Sequence, residues 1–486
     1  RLLMDMTKLS LLTDLYELTM MDGYLANNMQ DRIVVFDVFY RKNPCGNGFA
    51  ICAGLEQVVE YIENLRFTPE EVEYLAGLQL FSAEFLDYLR TFRFTGDIAA
   101  IPEGTVVFPY EPLLRVTAPV MEAQLIETAL LNMINHQSLI ATKAERVVWA
   151  AKGDPVLEFG LRRAQGPDAG TYGARAAVIG GCVGTSNVLT GKMFGVPVKG
   201  THAHSWVMSF PDELTAFRAY AKKFPQACTL LVDTYNTLEQ GVPNAITVFR
   251  EMREAGIPLK NYGIRLDSGD LAYLSKEARK MLDEAGFPDA VISASSDLDE
   301  NLISSLKLQG AEIHMWGVGT KLITSDDCPA FGGVYKLAAE SEDGGKTFTP
   351  KIKLSNNPEK VTNPGVKKVL RIYDKATGKI KADIIALDDD TIDETEPLLL
   401  RDRSAQWKKM RLPAGSFTVR ELLIPVFEKG KRVYTSPSTM ELQQVCKREL
   451  DTLWAEHKRL KNPHAVPVDL SERLHALRSR MIEEMS

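Results

Sequence analysis

The chain has 486 residues, 45% hydrophobic and 25% charged, which is enough apolar surface for two or three packed units and argues against disorder. Its 57 basic and 64 acidic side chains leave a formal net charge of -7, so no broad field attracts nucleic acid or membrane and an anionic ligand needs a local basic pocket. No run of 18 apolar residues occurs, and acids interrupt the first apolar stretch; a membrane helix is excluded and a signal peptide is not expected.

In chain order, Thr13 is placed to cap a helix running through Ala26. IVVFDVFYRK and FAICAG then read as strands, and LEQVVEYIENL, PEEVEYLAGL and SAEFLDYLRTF as helices. Pro and Gly break GDIAAIPEGTVVFPYEPLLRVTAPV into short strands, and a long helical pattern follows from Met121 to Ala151. Residues 1–153 are thus expected to be α+β.

From Asp154 to about Thr320 the rhythm changes. The short apolar runs VLEFG, VIGGCVG, VPVKG, CTLLVD, YGIRLD, AVISAS and IHMWGVG alternate with amphipathic patterns such as PDELTAFRAYAKKF and LAYLSKEARKMLDEAG. Such alternation implies buried parallel strands, and seven runs suggest a closed α/β barrel over residues 154–330 rather than an open sheet. Residues 331–486 return to strand patterns (FTPKIKLS, KKVLRIYD, IKADIIALD, FTVRELLIPVF) with turns such as DKATGK, then two helical patterns. No internal repeat or low-complexity segment stands out.

Polar groups stand where each central run stops: Phe159 with Arg162, Thr185 with Ser186, Thr201 with His204, Asp233 with Tyr235, Arg265 with Asp267 and Ser268, Ser296 with Asp297, and Gly319 with Thr320. In a barrel the loops after the strands gather at one face, so these groups would share one pocket. The alternative for Ser268, Asp270 and Asp299 is that they cap the following helices.

GVPVKGTHAHSW sets His202 and His204 beside a strand end. The pair could hold a metal, though no third ligand is signalled, or be buried and satisfied by backbone. A third reading is nucleophilic: an imidazole whose other nitrogen is held by a carboxylate such as Asp233 can become a phosphohistidine. In GIRLDSGDL, Arg265 offers a fork for carboxylate or phosphate and Asp267 a partner for a ribose hydroxyl or hydrated Mg²⁺, unless the two form an internal ion pair. WGVGTKL resembles a phosphate cradle, in which Thr320 and Lys321 add donors. Gly345, Lys346 and Thr347 spell GKT between strand patterns and read as a turn, not a Walker A loop. In KLSNNPEKVTNPGVKKVLRI, Lys353, Lys360, Lys367, Lys368 and Arg371 face one acid, Glu359; they either reach toward phosphates or form a solvated strand face, as expected for Lys367 and Lys368. Six scattered cysteines without CxxC suggest neither disulfides nor a zinc site, and a cytoplasmic setting is expected.

Taken in order, TDLYELTM, EFGLRRAQGPDAG, GTSNVL, GTHAHSW, LLVDTY, IRLDSGDL, SSDLDE, GVGTKL and KVTNPGVKK resemble the nicotinate phosphoribosyltransferases over nearly the whole chain. The resemblance implies an irregular α/β barrel beside an α/β sandwich domain assembled from both ends of the chain. It implies synthesis of nicotinate mononucleotide from nicotinate and 5-phosphoribosyl-1-pyrophosphate for NAD biosynthesis, with Mg²⁺ present and ATP hydrolysed as co-substrate. By motif, His204 matches the histidine phosphorylated from ATP and Asp233 its carboxylate support. Thr201 and Arg265 match nicotinate-contacting positions, and Gly319 with Thr320 the phosphoribosyl pyrophosphate cradle. Tyr16 and Phe159 match rings that sandwich the pyridine, the tyrosine arriving from a second subunit, which implies a homodimer with shared sites. Arg162, Asp267, Ser268 and Asp297 are further substrate-binding candidates, and His202 has no matching role. Amide-using relatives carry an acid where Ser186 stands; a hydroxyl there suits a carboxylate, so Ser186 and Arg265 favour nicotinate. The competing readings are transfer to nicotinamide or quinolinate, a barrel lyase or aldolase with a Schiff-base lysine, and a binding module without catalysis.

Overall fold

The structure is a computed structural model that describes residues 8–402, 405 and 407–486. Two units emerge: one holds the described residues up to Leu139 with Ala330–Pro437 and Gln444–Ser486, the other Ile140–Pro329 with Ser438–Gln443. The fold is mixed α/β, with one parallel sheet and several antiparallel ones.

In the first unit a seven-stranded antiparallel sheet runs in the order Thr349–Pro350, Gly333–Ser341, Ile33–Tyr40, Leu114–Pro119, Asp97–Ala100, Ile424–Glu428, Lys431–Arg432. Ile33–Tyr40 has neighbours on both sides and is buried almost throughout, which is why its sequence is apolar with little alternation. The one acid in it, Asp37, is 3% exposed and pairs with Lys367 Nζ at 2.8 Å. Lys367 also donates to the carbonyls of Asn363 and Gly365.

The expectation that Lys367 and Lys368 form a solvated face is therefore corrected: they are 2% and 8% exposed. Their strand, Lys367–Asp374, is an inner member of a four-stranded sheet with Phe417–Glu421, Ile380–Leu387 and Val468–Leu470. Arg371, fully buried there, makes a two-point pair with Asp383 at 2.8 and 2.9 Å. Lys353 and Lys360 are exposed. The GKT turn is organised by Asp343, whose carboxylate accepts from the amides of Lys346 and Thr347. Thr13 does not cap the first helix, which spans Leu15–Ala26 with Asp14 at its cap position; the Thr13 hydroxyl donates to Leu125 O instead.

The second unit carries six parallel strands: β1 (Val156–Glu158), β2 (Gly184–Thr185), β3 (Thr229–Leu231), β4 (Gly263–Leu266), β5 (Val291–Ala294) and β6 (Met315–Val318), in the order β2-β1-β6-β5-β4-β3. Leu230, Leu231, Ile264, Leu266, Ile292, Ala294, Trp316 and Val318 are fully buried. Burying each of the Leu, Ile and Val side chains contributes roughly 1.5–3 kcal/mol.

A closed barrel was expected, but the sheet is open. Its edges β2 and β3 are consecutive in sequence, yet no ladder joins them among the described residues. VPVKG gives only one bridge, Val198 to Thr185, because Pro197 has no N–H to donate and the chain then turns away. Side chains take over at the seam: the Thr201 hydroxyl donates to Thr229 O at 2.6 Å, and Leu231 N donates to His202 Nε2 at 3.3 Å.

VIGGCVG also departs from its expected strand. Its first half ends the helix Pro167–Ile179, and only Gly184 reaches β2. That helix is buried on most sides and packs closely, since a Cβ on Gly180 would lie 2.3 Å from Ala141 O. A short apolar run on such a helix has no readable period.

Candidate active site

Strand ends β1, β4, β5 and β6 surround a cavity of about 290 Å³ lined by Phe159, Arg162, Arg163, Arg265, Asp267, Ser295, Ser296, Asp297, Gly319 and Thr320. Parallel strands place their carboxyl ends on one side, which brings residues from distant parts of the chain to one mouth. Phe159 follows β1, where its amide donates to Val318 O at 2.8 Å. Its ring crosses β6 at Gly317, where a Cβ would come within 2.4 Å of the ring; only glycine leaves that space. Beneath it, Glu158 is fully buried and accepts from Gly160 N and from the Thr185 hydroxyl. Burial pushes the Glu158 carboxyl above its ordinary pKa, and those two donors oppose the shift.

His204 opens the short helix His204–Met208 with its side chain 39% exposed. Nδ1 meets the Thr234 hydroxyl at 2.9 Å, and Nε2 meets Asp267 Oδ2 at 3.3 Å. Asp233 is therefore not the hydrogen-bond partner of the imidazole: its Oδ1 lies 3.9 Å from Nε2, while Oδ2 accepts from Asp267 N and the Ser268 hydroxyl. Asp267 Oδ1 accepts from Ser295 at 2.7 Å. The carboxylates thus sit as a connected pair beside Nε2.

Arg265 forms no internal ion pair among the described residues; Nη2 donates to His202 O at 2.6 Å and Nε is buried without a partner. Burial pulls its pKa down from the ordinary guanidinium value, the Asp267 and Asp233 charges raise it, and Arg162 adds to the lowering. Arg162, Arg163 and Thr320 line the cavity with side chains that make no hydrogen bond among the described residues. The cavity is thus supplied with unspent donors and positive charge, as an anionic ligand requires.

Several expected members lie elsewhere. Thr201 is tied to the β3 seam, and Tyr235 is 57% exposed and does not line the cavity. Ser186 follows β2 with its amide on Glu158 O. Tyr16, which the resemblance brings from a second copy, is 48% exposed. Asp270 and Asp299 are helix caps, accepting from Tyr273 N and Leu302 N, whereas Ser268 serves Asp233. Thr234, Ser295 and Arg163 were missed, although each adjoins a residue that the strand-end rule singled out. Among the described residues no lysine lines the cavity, so the Schiff-base reading finds no candidate there. His202 is 9% exposed and packs at a tilt against Tyr220, and burial pushes its pKa down to about 4. Neutral, it can accept from Leu231 N.

The parallel sheet with arginines, a histidine and paired carboxylates at its carboxyl edge defines an α/β protein built around an anion pocket. Models of the nicotinate phosphoribosyltransferase N-terminal domain, family core and C-terminal domain match residues 11–135, 155–337 and 366–478. The Bacillus subtilis nicotinate phosphoribosyltransferase is 48% identical over 98% of this chain and 97% of its own. The Homo sapiens protein of that name is 34% identical over 96% of this chain and 95% of its own. The crystal structure of human nicotinic acid phosphoribosyltransferase superposes with a TM-score of 0.83 at 31% identity, covering 97% of this chain and 99% of that one. The chain belongs to the nicotinate phosphoribosyltransferase family.

Proposed function

We propose that this chain makes nicotinate mononucleotide from nicotinate and 5-phosphoribosyl-1-pyrophosphate in NAD biosynthesis, with ATP hydrolysed through a phosphohistidine at His204. The observation that carries the reading is the placement of His204 Nε2 on Asp267, at the cavity that also holds Arg265, Gly319 and Thr320.

Transfer needs positioning and charge stabilisation more than a strong base. The pyridine nitrogen uses its own lone pair to form the bond to the ribose carbon, and the C–O bond to pyrophosphate breaks with its electron pair leaving on oxygen. Arg265 supplies a fork for the nicotinate carboxylate, Phe159 a face for the ring, and Arg162, Arg163 and the Gly319–Thr320 turn supply donors for phosphate. For the ATP step, Asp267 holds a proton on Nε2, and the Nδ1 lone pair, released by the Thr234 hydroxyl, attacks the γ-phosphorus as ADP leaves. Water later cleaves the N–P bond and releases phosphate. The charge added while phosphate rests on His204 rearranges the arginine contacts.

The donor set fits Mg²⁺. Asp233 Oδ1 is buried without a hydrogen-bond partner, and Asp267 stands beside it. Among the described residues no three His, Cys, Asp or Glu side chains form a cage, which suits an ion held by one or two carboxylates and by substrate oxygens. Bound there, it would neutralise charge on the phosphates. The reading extends to a cytoplasmic homodimer: Tyr16 is exposed among Leu11, Leu12, Leu15 and Met20, an apolar patch suited to a second copy.

Incubation with ATP labelled at the γ-phosphate, with Mg²⁺, is expected to put acid-labile label on His204 and none on His204→Ala. Label at another residue, or none, removes the phosphohistidine; a parallel assay for nicotinate mononucleotide decides the transfer itself.

A further inference from the structure

His202 belongs to no substrate contact, yet it touches both members of one rung of the sheet. Leu231 on β3 and Arg265 on β4 are register partners. The imidazole of His202 accepts from Leu231 N through Nε2, and the His202 carbonyl accepts from Arg265 Nη2 at 2.6 Å. The ring is clamped from the other side by Tyr220 and Phe217, with centroids 4.8 and 6.2 Å away.

We infer that His202 is a positioning residue that aims Arg265 at the carboxylate of the pyridine substrate; this rests on the functional reading above. The bond to the His202 carbonyl is the one hydrogen bond the Arg265 side chain makes among the described residues, so that carbonyl sets the direction of the fork. The carbonyl is fixed in turn by the imidazole's anchor on the rung. A neutral carbonyl orients a guanidinium without cancelling its charge, whereas a carboxylate in the same place would consume the charge the substrate needs. The open seam explains the residue type. Where no strand offers a carbonyl to Leu231 N, a neutral imidazole supplies the acceptor and packs as an apolar ring.

The test compares His202→Leu, which fills the space between Tyr220 and Phe217 without an acceptor, with His202→Gln, whose amide oxygen can accept. For His202→Leu the KM for nicotinate is expected to rise roughly tenfold, with kcat and the KM for 5-phosphoribosyl-1-pyrophosphate within about twofold, and His202→Gln to recover part of the loss. In an Arg265→Lys background, His202→Leu should add nothing further to the nicotinate KM. An unmoved nicotinate KM overturns the inference, as does additivity in the Lys background. A fall of kcat and melting temperature with both KM values raised together also overturns it, because that marks a purely structural role. If the Leu variant does not fold, the Gln variant alone decides: it folds with near-native nicotinate KM, or the acceptor role is wrong. Absence of nicotinate mononucleotide synthesis by the unaltered chain would strike the functional reading instead.

Discussion

Asp267 is where the polar contacts of the cavity meet: Ser295 holds one oxygen, His204 faces the other, and its own amide rests on Asp233. A change at any of these four residues reaches the others through short bonds, so single substitutions here will not be additive. Ser186 stands apart from this group, at the end of β2 with its amide on Glu158 O, and offers a cleaner probe of ring selectivity. Ser186→Asp is expected to lower kcat/KM for nicotinate about tenfold or more and to raise it for nicotinamide, since a carboxylate repels one and accepts from the other. Steady-state rates with both substrates measure the ratio, and an unchanged ratio removes Ser186 from specificity. At this scale the residues around the imidazole were legible to within one position, while Thr201 and Tyr235 fell outside the cavity. Strand ends marked Asp233 and Ser296, while Thr234 meets the imidazole and Ser295 meets Asp267. Successive side chains on extended backbone point to opposite faces, and a pattern of apolar runs does not say where the last pleat falls.

Elements were most legible where local chemistry decides them. Asp270 and Asp299 announce helix starts, and both cap: Asp270 Oδ1 accepts from Tyr273 N at 3.0 Å ahead of Leu271–Glu284. Asp270→Ala is therefore expected to lower stability by about 1 kcal/mol while leaving both substrate KM values unchanged. Denaturant midpoints and steady-state kinetics check the two halves, and a shifted KM would return Asp270 to the site. VIGGCVG shows the opposite case. It reads as a strand, yet Gly180 is needed for close approach to Ala141 on a neighbouring helix, a tertiary demand that leaves no local trace. Lys367 failed for a similar reason: its partner Asp37 is 330 positions earlier in the numbering (367 − 37), and nothing near either residue signals the pair.

For the molecule as a whole, alternation of short runs and amphipathic helices identified the parallel sheet, and the change of rhythm near Asp154 marked a second kind of architecture. Closure was not legible, because it depends on whether a five-residue segment around Pro197 forms a ladder or one bridge. The proposed sharing of sites by two copies makes a prediction at this scale. Tyr16→Ala and His204→Ala should each be nearly inactive alone. Mixed and exchanged, they should recover roughly a quarter of the unaltered activity, since half the dimers are hybrid and each hybrid has one intact site. No recovery after confirmed subunit exchange would mean that each copy supplies its own tyrosine. The seam itself has a last consequence. A ladder resists slippage because every rung must break together, but between β3 and the segment after Val198 only a hydroxyl and an imidazole hold among the described residues. The sheet is laced there rather than woven, and the lacing passes through the residue that grips Arg265, so any loosening of that edge would be felt first by the guanidinium.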